Sequence, residues 1–195
     1  TAETRFHASS IAKPVTAMVA MHLRDQGAVN IDAPVEPHLS AWHGRDPLTR
    51  AQAGRVTLRQ LLSHTAGIRA CTFGQTLLDR APHAEPSAAE VLDGVCGEDT
   101  ALRFDRPPGG PAVYTSPGYV LAQLVLEHAA GAPLAQLART TVFQPLGLDA
   151  TALGPGTGES LAVGYGARGQ PRRLGFYPTG SSDLRSTPSD LTSFL

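Results

Sequence analysis

Helix punctuation governs this sequence. Start and stop signals for helices recur from end to end while convincing strand signals are few, and that imbalance confines the chain to a largely helical body. Thr57 opens VTLRQLLSH with Gln60 three residues on, the pairing of a capping box, and Ser87 with Glu90 repeats it at SAAEVLDGV. Ser116 is a good N-cap and Pro117 suits the first helical position, so YVLAQLVLEHAA is expected as a helix closed by Gly131. LAQLARTTVF should form another, and Thr187 caps one more in TPSDLTSFL. After SSIAK, Val15, Met18, Val19 and Leu23 share one helical face, and Gly27 ends that helix. GAVNIDAPVEPHLSAW has turn residues without a sustained period, and short strands are expected only around LAVGYGA and RLGFY. A helical lobe whose sheet lies mostly elsewhere, ending inside a capped helix, is expected to be the central segment of a longer chain.

Composition narrows the function classes. Hydrophobic residues make up 42% and charged residues 17% of the 195, as in an ordinary globular protein. A formal charge of -1 offers no basic field for nucleic acid, so the expected partner is a small molecule. No apolar stretch approaches the roughly 20 residues of a membrane span. Cys71 and Cys96 lack metal-ligand spacing, and the sequence leaves open whether they pair or stay free. The histidines other than His64 are scattered without a metal-binding spacing, and no cofactor is implied. The chain opens on Thr1 with no visible signal peptide, which leaves a cytoplasmic or a secreted location equally open.

Fifteen of the sixteen basic side chains are arginine, and Lys13 is the single lysine. Arginine keeps its proton throughout, whereas a lysine in a poorly solvated site can lose its charge near neutral pH and act as a base. Ser10 stands three residues before it, and with about 3.6 residues per turn the two lie on one helical face. If the helix starts at Ser9 or Ser10, the hydroxyl sits at a helix N-terminus, where developing negative charge is favoured. An unprotonated amine one turn inside can then take the hydroxyl proton, which describes an activated nucleophile. Pro14 is tolerated because its missing N–H falls in the first turn.

RFHASSIAKPVTAM resembles the Ser-x-x-Lys segment of the serine β-lactamase and penicillin-binding-protein-like hydrolases, the family of class C β-lactamases, DD-peptidases and esterase relatives. Further landmarks follow in the family's order. GAVNIDAPVEPHL resembles its G-x-L-x-L-D-D-P-V stretch, VTLRQLLSHTAGI its T-I-R-x-L-L-T-H-T-S-G-L, and PGGPAVYTSPGYVLAQLVLEHAAG the second motif region, P-G-x-x-F-x-Y-S-N-x-G-Y. TTVFQPLGLDAT resembles I-F-x-P-L-G-M-x-x-T, and SSDLRSTPSDLTSFL resembles G-G-L-x-S-T-A-x-D-L-x-x-F.

The resemblance implies an α+β chain of the serine β-lactamase/DD-peptidase-like fold, with residues 1–195 one partial domain truncated at both ends and covering mainly the helical lobe. It implies Ser10 as the acylated nucleophile, Lys13 as the amine beside it and Tyr114 as the tyrosine of the Tyr-x-Asn motif, sharing the proton transfer. Ser116 stands where asparagine is usual. Its shorter side chain has one donor where the amide offers donors and an acceptor, which weakens recognition of an amide-bearing substrate. Together with Lys13-Pro14 this favours an esterase or acyl-transfer activity, then a D-alanyl-D-alanine carboxypeptidase, then a β-lactamase, with an acylable sensor that does not turn over as the alternative. Small-molecule esters, peptides and β-lactams are the implied substrates. His64, Thr65 and Gly67 match a landmark but read as a helix ending with a structural role. The family's third motif, a Lys/His-x-Gly strand that supplies one oxyanion donor, lies beyond the TPSDLTSF region and is absent from this sequence.

Overall fold

A computed structural model describes residues 1–40, 42–70, 86–97, 101–154, 161–172 and 178–195. The polypeptide opens with strand β1 (Phe6–Ser9) and helix α1 (Ala12–Asp25), followed by a 3-10 turn at Glu36–His38. Helices α2 (Pro47–Arg55), α3 (Leu58–Leu62), α4 (Ala88–Leu92), α5 (Ser116–Ala130) and α6 (Leu134–Ala138) come next. A π-turn at Arg139–Phe143 extends α6 and leads to strands β2 (Ala152–Leu153), β3 (Gly164–Tyr165) and β4 (Pro171–Arg172). Helix α7 (Thr179–Ser182), strand β5 (Leu184–Ser186) and helix α8 (Pro188–Phe194) complete it.

Helix α5 is the axis of the core. Val120, Leu121, Ala122, Val125 and Leu126 on it are all 0% exposed, and it packs against α1, α3, α4 and α7. Both expected capping boxes form, Thr57 with Gln60 and Ser87 with Glu90, and Thr187 caps α8 through the Asp190 amide. Gly131 closes α5 in the left-handed conformation expected of it. The segment LAQLARTTVF is helical as expected, with the π-turn in its second half.

Several expectations shift. Helix α1 begins at Ala12, later than Ser9 or Ser10, because the preceding residues belong to β1 and to a turn. Its buried face runs through Ala12, Val15, Thr16, Val19, Ala20 and Leu23, leaving Met18 41% exposed. Helix α5 starts one residue early, with Thr115 as N-cap and Ser116 already helical. Tertiary bonds explain this: the Thr115 N–H donates to His64 Nδ1 and its hydroxyl to the Arg69 carbonyl, so the chain stays extended up to Thr115 and turns helical after it.

The sheet is richer than the strand signals suggest. An antiparallel sheet in the order β1-β5-β2 pairs Phe6 with Ser186 and His7 with Arg185, and then slips so that Ser9 faces Leu184. Strands β3 and β4 form a separate two-stranded ribbon where LAVGYGA placed a strand, while RLGFY lies outside the described residues. Cys96 is a buried free thiol, and Cys71 also falls outside the described residues. Among the described residues no helix is long and apolar enough to cross a membrane.

Candidate active site

The slip in β1 creates the elbow that presents Ser10. An irregularity in a strand pair bends the strand and re-aims the residues after it. Ser9 adopts φ 48°, an uncommon conformation for a residue with a Cβ, and turns the chain from the sheet toward α1. Ser10 sits exposed at the bend, and its carbonyl accepts from the Lys13 N–H at 3.0 Å, tying the elbow to the first turn of α1. Helical spacing then carries the Lys13 side chain back to the same place: its Nζ donates to Ser10 Oγ at 3.2 Å. Lys13 is 5% exposed, and its Nζ also donates to the Ser181 carbonyl in α7 at 2.8 Å.

Tyr114 reaches the elbow from the far side of the sequence through a paired loop. The Val113 N–H donates to the His64 carbonyl, the Gly109 N–H to the Thr65 carbonyl and the Asp105 N–H to the Gly67 carbonyl, so the stretch after α3 clamps the stretch before α5. Gly67 is required at its place, since its φ is +77° and an added Cβ would strike the Arg106 carbonyl. The Tyr114 ring rests on His64, with centroids 4.7 Å apart, and its hydroxyl donates to Ser10 Oγ at 3.0 Å.

Ser10 Oγ thus stands between an amine and a phenol. Burial holds Lys13 below the ordinary lysine range against the opposing influence of Tyr114. Burial pushes Tyr114 up, but Lys13 and Ser10 outweigh it and leave the phenol below its ordinary value. Tyr119, whose ring also lies under Lys13 Nζ, contrasts with it: burial and the neighbouring Tyr114 push it up to about 12, and its hydroxyl is committed to the Leu62 carbonyl at 2.8 Å. Of the two phenols only Tyr114 has its hydroxyl in hydrogen-bond contact with Ser10 Oγ.

Three of the four residues singled out in the sequence therefore converge. Ser116, the fourth, is 2% exposed in the first turn of α5, and none of the hydrogen bonds joining Ser10, Lys13 and Tyr114 includes it. His64 does more than end a helix. Burial and the Lys13 charge hold it below its ordinary value, and its Nδ1 accepts from the Thr115 N–H while its ring backs Tyr114. Its φ is 60°, in the left-handed region uncommon for a residue with a Cβ.

A Beta-lactamase family model matches residues 1–195. The chain belongs to the beta-lactamase family. Esterase EstB of Burkholderia gladioli is 32% identical to it over 179 residues, covering 87% of this chain and 43% of that protein. Penicillin-binding protein 4* of Bacillus subtilis (strain 168) is 25% identical over 175 residues, covering 90% of this chain and 34% of the relative. The chain therefore spans less than half the length of these curated relatives. Among solved structures, the octameric penicillin-binding protein homologue from Pyrococcus abyssi matches with a TM-score of 0.76 at 24% identity, over 100% of this chain and 44% of that one. The beta-lactamase family is made of serine hydrolases, and the helix-rich α+β architecture with its small sheet is that of the serine beta-lactamase and penicillin-binding-protein fold.

Proposed function

We propose that this protein is a serine hydrolase that works through an acyl-enzyme on Ser10. The observation that carries the proposal is the meeting of Lys13 Nζ and Tyr114 Oη at one oxygen, 3.2 Å and 3.0 Å from Ser10 Oγ. As Ser10 Oγ attacks the carbonyl carbon of an ester or amide, its proton passes to Lys13, directly or by way of Tyr114. Collapse of the tetrahedral adduct breaks the bond to the leaving group, which departs with a proton from the Tyr114 hydroxyl, and Lys13 returns the proton it took so that both are restored. Water or an acceptor alcohol then attacks the acyl-serine, giving up its proton to the same pair and releasing Ser10.

Within this chemistry we place ester hydrolysis or acyl transfer ahead of a D-alanyl-D-alanine carboxypeptidase, and both ahead of a β-lactamase. Ser116 supports that order, because a buried hydroxyl cannot offer the donors and acceptor of an amide to a substrate peptide group. Rates on a chromogenic short-chain ester and on a chromogenic cephalosporin rank the options. A much faster cephalosporin reaction reverses the order, and a fluorophosphonate adduct on any residue other than Ser10 removes the mechanism.

A further inference from the structure

One turn of backbone beneath the site is held far more firmly than its length requires. In α7 the Gly180 peptide is gripped from two helices: its N–H donates to Gln123 Oε1 of α5 at 2.9 Å, and its carbonyl accepts from Thr16 Oγ1 of α1 at 2.9 Å. The Thr16 hydroxyl, 0% exposed, also lies 3.1 Å from the Ala12 carbonyl of its own helix. Gln123 is oriented in turn, since its Nε2 donates to Glu127 Oε1 at 3.0 Å, which leaves Oε1 to face Gly180. Only glycine lets the backbone come so close, because a Cβ on Gly180 would stand 2.9 Å from Gln123 Cβ and 3.0 Å from the Tyr119 carbonyl. The next carbonyl along, that of Ser181, is the one that accepts from Lys13 Nζ.

We propose that Thr16 and Gln123 are positioning residues that clamp the Gly180–Ser181 backbone, so that the Ser181 carbonyl holds one N–H of the Lys13 amine and, when the amine gives up the proton it directs at Ser10 Oγ, the lone pair left behind faces Ser10. The inference rests on the acyl-enzyme reading above for its purpose, but its geometry is independent of it. A neutral amine has two N–H donors and one lone pair, and on a flexible four-carbon stem it points nowhere in particular. Pinning one N–H to a fixed carbonyl does for it what an acceptor on the second ring nitrogen does for a histidine base. The groups facing Lys13 from the surrounding elements are Tyr114, Tyr119 and His64, and among the described residues no carboxylate lies in ion-pair contact with it. The carbonyl is thus the polar group available to set the amine's direction from below.

Lys13 is the one lysine among these 195 residues, and its own signal can be followed. In the complete protein carrying lysine labelled at 15Nζ, the Lys13 resonance is identified by its loss in Lys13→Arg, and its titration is followed by NMR beside the rate of Ser10 labelling by a fluorophosphonate. Thr16→Val keeps the shape and removes the hydroxyl; we expect its Lys13 midpoint to move by about half a pH unit or more and labelling to slow about 10-fold or more. Thr16→Ser keeps the hydroxyl and drops the methyl, and is expected to restore both the midpoint and the rate. Gln123→Met, read the same way, serves if Thr16→Val does not fold. A Lys13 titration unchanged in the folded Thr16→Val or Gln123→Met protein overturns the clamp whatever happens to the rate. So does a Thr16→Ser protein altered as much as Thr16→Val, since the methyl and not the hydroxyl would then matter. If the titration moves as expected while the parent protein is never acylated, the clamp stands and the acyl-enzyme reading falls.

Discussion

The Tyr114 hydroxyl donates to Ser10 Oγ across 3.0 Å, although 104 positions separate the two residues in the chain. The loop after α3 is hydrogen-bonded to the loop before α5 beside that contact, and Lys13 and Ser10 together outweigh burial and hold the phenol below its ordinary value. Tyr114 is 46% exposed, so the pair lies at the surface and not in the core.

Removing that hydroxyl separates chemistry from folding. Tyr114→Phe keeps the ring on His64 and loses only the proton partner. Its Ser10 acylation rate is expected to fall by about 10²–10⁴-fold, the usual contribution of a positioned acid or base. Its unfolding free energy is expected to change by no more than about 0.5 kcal/mol, as for a partly exposed group outside the core. Stopped-flow acylation by a chromogenic ester and urea denaturation of the same preparation give the two numbers, and an undiminished rate would make Tyr114 a bystander.

What the sequence made legible was local. Capping boxes, helix-closing glycines and the Ser10–Lys13 spacing are set by neighbours within a turn, and they are found where the residues placed them. The sheet was not legible, because β2 has two residues and β5 three, too few to show alternation; β5 becomes a strand by pairing with β1 from the other end of the chain, and β2 by pairing with β5. The left-handed turn at Ser9 has no residue signature either, since serine there gains the conformation from the slipped pairing and not from its own preference. Tyr114 was reached through resemblance alone. His64 carried a signal that could have been weighed differently, standing in a landmark beside the tyrosine motif's partner loop, whereas the Ser181 carbonyl that meets Lys13 is a backbone atom that no residue type announces.

The buried amine should leave a trace in stability. Lys13 is held below its ordinary value of 10.5 by burial, so the unfolded chain binds the proton more tightly than the folded one. Below the folded pKa both states are charged and the folded state bears the whole desolvation cost. As pH rises from the lowered value toward 10.5, the folded lysine is already neutral while the unfolded one is not, and stability climbs through that window. Lys13→Met removes the effect. The stability of the parent relative to Lys13→Met is therefore expected to increase with pH across that interval, while the variant shows no Ser10 acylation at any pH. Denaturant curves for both proteins at a series of pH values check the sign, and a parent that loses ground to the variant as pH rises would contradict it.

Gly67 tests whether the loop pairing is what delivers Tyr114. Gly67 and Gly131 share a positive φ, +77° and +65°, but their surroundings differ. Nothing lies within 4 Å of the place a Cβ would take at Gly131, so Gly131→Ala bears only the conformational cost, about 1 kcal/mol. At Gly67 the Cβ would strike the Arg106 carbonyl oxygen and come within 3.0 Å of the Pro107 carbonyl carbon, both backbone atoms of the stretch that runs on to Tyr114. The loops must part to make room, so Gly67→Ala is expected to lose about 2–4 kcal/mol of stability. Because that parting pulls Val113 from the His64 carbonyl and with it the adjacent phenol from Ser10, the fraction that remains folded should acylate more slowly as well. Gly131→Ala should acylate at the parent rate. Chemical denaturation and Ser10 labelling of the two variants side by side decide the matter: equal losses would mean that the left-handed conformation alone is at stake, while a rate defect confined to Gly67→Ala would place the control of Tyr114 in the contact between the loops.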